Sequence, residues 1–466
     1  NNKGRFVLQF AMSGGAATAF VVTPFAPNCS CMVSMNIPGY YEIQPDSFGF
    51  GANGVVCTAL DTRSGQSVAV KKIPDAWTDP EQSKRVLREI KYQSRLQHPN
   101  ISAITDVLLG RDDSLYVVQE LLTTDLQWVI QSQQPLTQPH ILQLAYNLFD
   151  ALEYIHSVGV VHRDLKPVNC LVTPKCDLRL CDFGLCRVIS NVHEIEPEVP
   201  TEYVTSRWYR APEVLLGSRY DAKVDIWAAG CIFAELLQRK PLFVGGDPQS
   251  QLDKIINVVG APSQKFIKQI PMAPQRAFLA QRCMKRRRRW VDVLVRRHPP
   301  SRTLPSHSHS SYLRVVPQLA TVAPHSLLVP TPYGAHPSQL PNQDVGPIDR
   351  PCTDVLTMSL EFNPHQRSSA SEVMRAECFN GFTLAECRSH EPPLFSNDWE
   401  EKLNFKDPKA VEVRLAELTT SPHHTTSPLH HTTPHLLPRL PKHLASPCAL
   451  TAPPITRLAS PFLHIL

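Results

Sequence analysis

Residues 41–73 alternate apolar and polar positions like strands around a cluster of glycines, and VAVKKI at 68–73 is a compact β-branched run. The period then changes. In DPEQSKRVLREIKYQSRLQ (79–97), Val86, Leu87 and Ile90 recur at helical spacing, Asp79 stands where an N-cap belongs, and Pro80 suits a first turn. SLYVVQELL (114–122) reads as a strand again. Beyond it the patterns are long and helical: HILQLAYNLFDALEYIHS (140–157), VDIWAAGCIFAELLQ (224–238) and PQSQLDKIINVVG (248–260). Strands first and helices afterwards predict an α+β fold of two lobes, the first β-rich and the second helical, with a cleft between them.

The periodicity fails twice. From 296 to 347 a proline comes every few residues, and from 419 onward a ragged repeat runs TTSPHH, TTSPLHH, TTPH. Both stretches are expected to be disordered, and translated non-coding sequence would explain both. The histidines of the tail have no supporting carboxylate or cysteine arrangement, so they are read as incidental rather than as a metal site. The chain therefore divides into an extension at 1–37, also expected to be disordered, a β-rich lobe at 38–122, and a helical lobe at 123–295. The insertion at 296–347 interrupts that lobe, which resumes at 348–380 and is followed by an extension at 381–418 and the tail at 419–466.

Composition narrows the class. Apolar residues are 42% of the 466, enough for real cores, while 43 prolines are about twice the usual share and fit the two unpatterned stretches. The net charge of +5 is modest, and much of it comes from KRRRRW at 285–290, which reads either as a nuclear-import signal or as a solvated helix face. The 13 cysteines lack CxxC spacing, and their only close pair is Cys29 and Cys31. That points to reduced thiols in a cytoplasmic and nuclear protein rather than to a disulfide framework. The N-terminal NNKGRFVLQFAMSGGAATAFVVTPFAP is apolar, but its runs are short and broken, so it is not read as a signal peptide. No run reaches the roughly 18 apolar residues of a span, and neither membrane nor nucleic acid is expected as a partner.

The chemistry lies in four short stretches. GFGANGVV (49–56) sits between two strand patterns rather than opening a helix, which disfavours a dinucleotide fold. Gly49, Gly51 and Gly54 let backbone lie close over phosphates, with Val56 beside them, and Lys71 on the next strand suits a cation reaching two of those phosphates. Glu89, on the following helix, is the carboxylate to position that lysine. HRDLKPVN (162–169) is far more specific, because it puts a carboxylate, a lysine and an amide on one short loop. Asp164 suits a base for a substrate hydroxyl, Lys166 a cation for a moving phosphoryl group, and Asn169 a magnesium ligand. CDFG (181–184) then supplies Asp182 as the main magnesium ligand. Phosphoryl transfer needs positioning and charge neutralisation, and this set offers both.

Taken in order, GFGANGVV, VAVK, HRDLKPVN, DFG and APE (211–213) resemble the eukaryotic protein kinases, from about Pro38 to Gly260 and again from near Asp349. TEYVTSRWYRAPE (201–213) is similar to the activation segment of mitogen-activated protein kinases of the extracellular-signal-regulated type, while PDAWTDPEQSKRVLREI and SQQPLTQPH resemble Nemo-like kinases. IKQIPMAPQRAFLAQRCMKRRRRWVDVL (267–294) is loosely similar to that family's helical insert. The resemblance implies a proline-directed serine/threonine kinase using ATP and Mg2+, with Gln119, Leu122 and Asp125 also at the nucleotide. It further implies that an upstream dual-specificity kinase phosphorylates Thr201 and Tyr203. Phospho-Tyr203 would then meet Arg207 and Arg210. Phospho-Thr201 would meet Arg88, Arg163 and Arg187, with Arg85 assisting. Arg367 in MSLEFNPHQR would pair with Glu213.

Several positions depart from that pattern. PDSFGFG lengthens the approach to the glycines, Cys186 replaces the usual alanine after DFG, and Cys387 and His390 stand where the family's acidic docking patch is expected. The insertion at 296–347 falls inside the helical lobe. The rival reading is accordingly a non-catalytic scaffold whose helical lobe the insertion has damaged.

Overall fold

The computed structural model describes residues 18–22, 31–44, 49–51, 54–74, 76–77, 79–110, 114–122, 124–132, 134–189, 207–294 and 350–384, with Phe395, Trp399 and Leu403. Two compact units divide the chain, Asn1–Thr419 and Thr420–Leu466, and every described residue belongs to the first. Thr201, Tyr203, Cys387, His390, the 296–347 insertion and the tail lie outside the described residues.

Strands β1 (Thr18–Val22) and β2 (Cys31–Met35) pair antiparallel, so the extension expected to be disordered contains a two-stranded sheet. The β-branched and apolar content of TAFVV and CMVSM favours strand wherever a partner is close in sequence. The main sheet follows: β3 (Tyr41–Ile43), β4 (Gly49–Gly51), β5 (Gly54–Asp61) and β6 (Gln66–Ile73). Helix α1 (Pro80–Gln93) comes next, then β7 (Ile104–Leu109) and β8 (Leu115–Glu120). The strand order is β3-β5-β6-β8-β7, with β4 paired to β5, and all pairs are antiparallel.

This sheet is buried on both faces. Along β8, Leu115 and Val117 join one cluster and Tyr116 and Val118 the other, as the two-residue period requires. Helix α1 covers the first face through Val86, Leu87 and Ile90, with Trp399 from far along the chain beside them. Asp79 caps α1 by accepting from Gln82 N at 2.9 Å, as its sequence indicates. The helix ends at Gln93 rather than at Gln97, because the chain turns there toward the second lobe.

The helical lobe begins with β9 (Thr124–Asp125), α2 (Leu126–Gln131) and α3 (Gln138–Ser157). Short strands β10 (Val160–Val161), β11 (Cys170–Val172), β12 (Leu178–Leu180) and β13 (Arg187–Val188) carry the loops between them. Then come α4 (Pro212–Leu215), α5 (Lys223–Gln238), α6 (Pro248–Val259), α7 (Gln264–Gln269), α8 (Ala273–Ala280), α9 (Trp290–Leu294), α10 (Arg350–Ser359) and α11 (Ala370–Val373). Every residue of α5 from Val224 to Gln238 is buried, so this helix is the pillar of the lobe.

The two sides of the insertion meet in that core. Trp290 and Leu294 of α9 are buried, and the Trp290 indole donates to Thr357 Oγ1 of α10 at 2.9 Å. A fully buried ion pair ties the lobe further: Arg367 contacts Glu213 at 2.7 and 2.9 Å. Arg367 also donates to the carbonyls of Lys223 and Glu361, at 2.8 and 2.9 Å, so the guanidinium is matched rather than stranded. The basic run does not form the solvated helix face weighed as one reading of it. Residues 285–289 are exposed and outside any helix or strand, between a turn and α9, because α9 begins only at Trp290.

Candidate active site

Sheet register brings the first group of residues into one row. Gly49 pairs with Val56, Val56 with Lys71, and Lys71 with Val117. Lys71 shares its parity with Ile73, so it emerges on the face that α1 covers. There its Nζ meets both Glu89 oxygens, at 2.7 and 2.9 Å. Burial works against the ammonium, but Glu89, then Asp182, outweigh it and hold the Lys71 pKa above its ordinary value. Gly54 has a φ of +139°, and a Cβ there would run into the carbonyl oxygen of Lys72. Only glycine fits that turn without strain.

The second group sits on the loop after β10. Asp164 accepts from Lys166 Nζ at 2.7 Å and from Asn169 Nδ2 at 3.2 Å, and Asn169 Nδ2 also donates to the Asp164 carbonyl at 2.8 Å. This engages the amide nitrogen of Asn169 and leaves its oxygen for a cation. Burial raises the Asp164 pKa, with Lys166 opposing and Asp182 reinforcing, so the carboxyl is a better proton acceptor than an exposed one.

Two residues that sequence reasoning passed over fix this loop. Asp225, near the start of α5, accepts from the backbone N–H groups of His162 and Arg163 at 2.8 and 2.9 Å and contacts His156 Nε2 at 2.9 Å. Burial would raise its pKa, but His156 and the amides outweigh it and hold it low. Those bonds keep Arg163 at a φ of 70°. The signal was present: an acid opening the apolar run VDIWAAGC is costly unless it has buried partners. Phe183 is the second. It packs edge-on against His162, with ring centroids 5.0 Å apart, while His162 Nε2 contacts the Cys181 carbonyl at 3.0 Å. Asp182, at a φ of 65°, lies close enough to Lys71, Glu89 and Asp164 to shift all three.

The remaining residues expected at a nucleotide lie at the junction of the lobes. Gln119 is the penultimate residue of β8, Leu122 lies two residues beyond the strand's end, and both are half-buried. Asp125 Oδ1 caps α2 by accepting from Trp128 N at 2.8 Å, so one of its oxygens has a structural task. Among the arginines, Arg88 is buried on α1, and Arg163 donates to the Leu185 carbonyl at 3.2 Å, two residues before Arg187. The backbone of Arg85 on α1 lies against Gly184, so α1 and the DFG turn touch. Arg207 donates to the Gly246 carbonyl at 3.1 Å. Burial, then the charge of Arg207, lowers the pKa of Arg210, which Asp164 opposes, so Arg210 stands near the loop carboxylate.

The donor set suits a nucleotide with magnesium. A buried, carboxylate-held lysine, a glycine turn no side chain could enter, and one carboxylate with one amide oxygen form an open half-site for a hard cation. Mg2+ takes its other oxygens from phosphates and water.

The family model of the protein kinase domain matches residues 43–379. The chain belongs to the protein kinase family, and its two lobes and inter-lobe site are that family's architecture. Mitogen-activated protein kinases are among its relatives. It is 42% identical to mitogen-activated protein kinase 10 of Arabidopsis thaliana over 258 residues, which are 52% of this chain and 64% of that protein. It is 43% identical to mitogen-activated protein kinase homolog NTF6 of Nicotiana tabacum over 253 residues, 51% of this chain and 66% of that one. It is 44% identical to extracellular signal-regulated kinase 1 of Dictyostelium discoideum over 248 residues, 52% of this chain and 46% of that one. The chain thus spans less than two thirds of the length of these relatives.

Proposed function

We propose that the protein transfers the γ-phosphoryl group of ATP to serine and threonine hydroxyls of proteins, and that an upstream dual-specificity kinase activates it at Thr201 and Tyr203. The observation that carries this reading is the completed Lys71–Glu89 pair, at 2.7 and 2.9 Å, in the same site as the Asp164–Lys166–Asn169 cluster. Bound ATP with Mg2+ supplies the phosphoryl group and neutralises its charge. Lys71, held by Glu89, orients the phosphates, and Asn169 and Asp182 hold the cation. Asp164 accepts the hydrogen bond of the substrate hydroxyl and then its proton, and Lys166 beside it stabilises charge on the moving group.

Preference for proline after the target residue is part of the proposal and rests on the likeness to mitogen-activated kinases. So is residence in both cytoplasm and nucleus, which rests on the reduced cysteines and the basic run. The scaffold reading requires a damaged helical lobe. The buried Glu213–Arg367 pair and the contact of α9 with α10 favour the catalytic reading instead.

The test is phosphate transfer from ATP to a generic Ser-Pro protein, with and without an activating dual-specificity kinase. Asp164→Asn is expected to lower kcat by about 10²–10⁴-fold while ATP binding persists. The Thr201→Ala/Tyr203→Phe variant is expected to keep only basal activity and to ignore the activator. Transfer by wild type that is indifferent to Asp164 would overturn the assignment. Activity indifferent to the two hydroxyls would leave an enzyme and remove its switch.

A further inference from the structure

Outside the active site, the strongest unassigned feature is the surface from Arg282 to Arg289. Six cations, Arg282, Lys285, Arg286, Arg287, Arg288 and Arg289, stand here within eight residues. Three carboxylates touch them. Asp253 holds Arg282, Glu361 contacts Arg287 at 3.2 Å, and Asp292 takes both arms of Arg289 at 2.8 and 3.0 Å. Six cations against three carboxylates leave an excess of three. Among the described residues, Lys285 and Arg286 meet no carboxylate.

The run is also built, not merely charged. Its backbone is pinned to the loop after α6: Ala261 N donates to the Lys285 carbonyl at 2.9 Å, and Arg288 N to the Val258 carbonyl at 2.9 Å. Gly260 makes this possible, since a Cβ there would stand 2.7 Å from Arg287 N. Arg287 is further held by the Leu360 carbonyl at 2.9 Å. Five like charges in succession repel one another, and the fold keeps them fixed and exposed. Met284, 88% exposed, stands at the start of the run as an apolar contact.

We propose that this surface docks an acidic, extended segment of a partner protein. Charge complementarity selects that occupant: the exposed excess of three cations calls for a carboxylate-rich segment. Lys285 and Arg286, which meet no carboxylate among the described residues, are the cations such a segment would reach first. An excess of three cations is small beside the roughly six to ten phosphate contacts of a nucleic-acid surface, which sets a protein segment ahead of nucleic acid.

The test uses the full chain and a fluorescein-labelled oligoglutamate peptide, read by anisotropy. Binding is expected, weakening as salt rises, and Lys285→Glu/Arg286→Glu is expected to weaken it by about tenfold or more. Lys285→Gln/Arg286→Gln should weaken it less, and it stands in for the reversal should that variant fail to fold. Phosphoryl transfer to a generic substrate is expected to stay unchanged in both, since neither residue belongs to the active site. Peptide binding that ignores the substitutions would overturn the proposal. So would tighter binding of a short DNA duplex or of phosphatidylserine vesicles than of the peptide.

Discussion

Glu235, deep in α5, accepts a hydrogen bond from Tyr209 at 2.7 Å while its other oxygen is buried without a partner among the described residues. Burial raises its pKa from 4.5 to about 7, with the Tyr209 bond opposing. The folded protein therefore binds this proton more tightly than the unfolded chain does. Its contribution to stability is fully present below the ordinary value of 4.5 and is lost as the pH climbs through about 7. The shift corresponds to a loss of order 3 kcal/mol across that window. Urea unfolding at about pH 5 and about pH 8 should show a smaller decline in Glu235→Gln than in wild type. An equal decline would mean that other groups carry the dependence. The same economy explains why single residues were unevenly legible. Lys71, Glu89, Asp164, Lys166, Asn169 and Asp182 could be named from short motifs because phosphoryl chemistry demands those side chains. Asp225 and Glu235 could not, because their roles depend on which backbone amides and hydroxyls the fold brings to them.

Among the elements, α1 is the most consequential, since it carries Glu89 and touches the DFG turn at Gly184. Its packing includes a residue the strand and helix periods could not have supplied. Trp399 is buried against Val86, Leu87 and Ile90, its indole donates to Tyr92 Oη at 3.4 Å, and Lys91 stands 4.4 Å over its ring. Phe395 meets the Tyr92 ring edge-on at 5.1 Å. Trp399→Ala is expected to cost about 3–5 kcal/mol. It should also speed amide exchange in α1 and lower phosphoryl transfer, with Trp399→Phe recovering much of each. Unchanged exchange in α1 would show that this helix is held by the sheet alone. Element positions themselves were well anticipated where the period is strong, as in β6, α3, α5 and α6. They were missed where a short pairing decided the matter, as in β1 and β2, or where an expected helix gave way to an irregular run at 285–289.

For the whole molecule, the question is whether the long insertion harms the lobe it interrupts. The last described turn before it, α9, and the first after it, α10, are joined by Trp290 and Thr357, so the loop closes across a formed core. Closure of a longer loop between fixed ends adds only about 0.6 kcal/mol per doubling of length. Replacing residues 296–347 with a short Gly/Ser linker should therefore leave Tm and phosphoryl transfer close to wild type. A large fall in either would mean that the insertion supplies packing of its own.

The sequence by itself determined the order of the two lobes, and it named the proposed chemistry and the six side chains proposed to carry it, because local period and short motifs reside in neighbouring residues. Tertiary structure alone decided how those side chains meet. Register across β4, β5 and β6 put Lys71 under the glycine turn, and α5 supplied the acid that fixes the catalytic loop. A residue some three hundred positions from Tyr92 closed the packing of α1. These contacts join positions remote in sequence, and no pattern along the chain encodes which distant surfaces will bury each other.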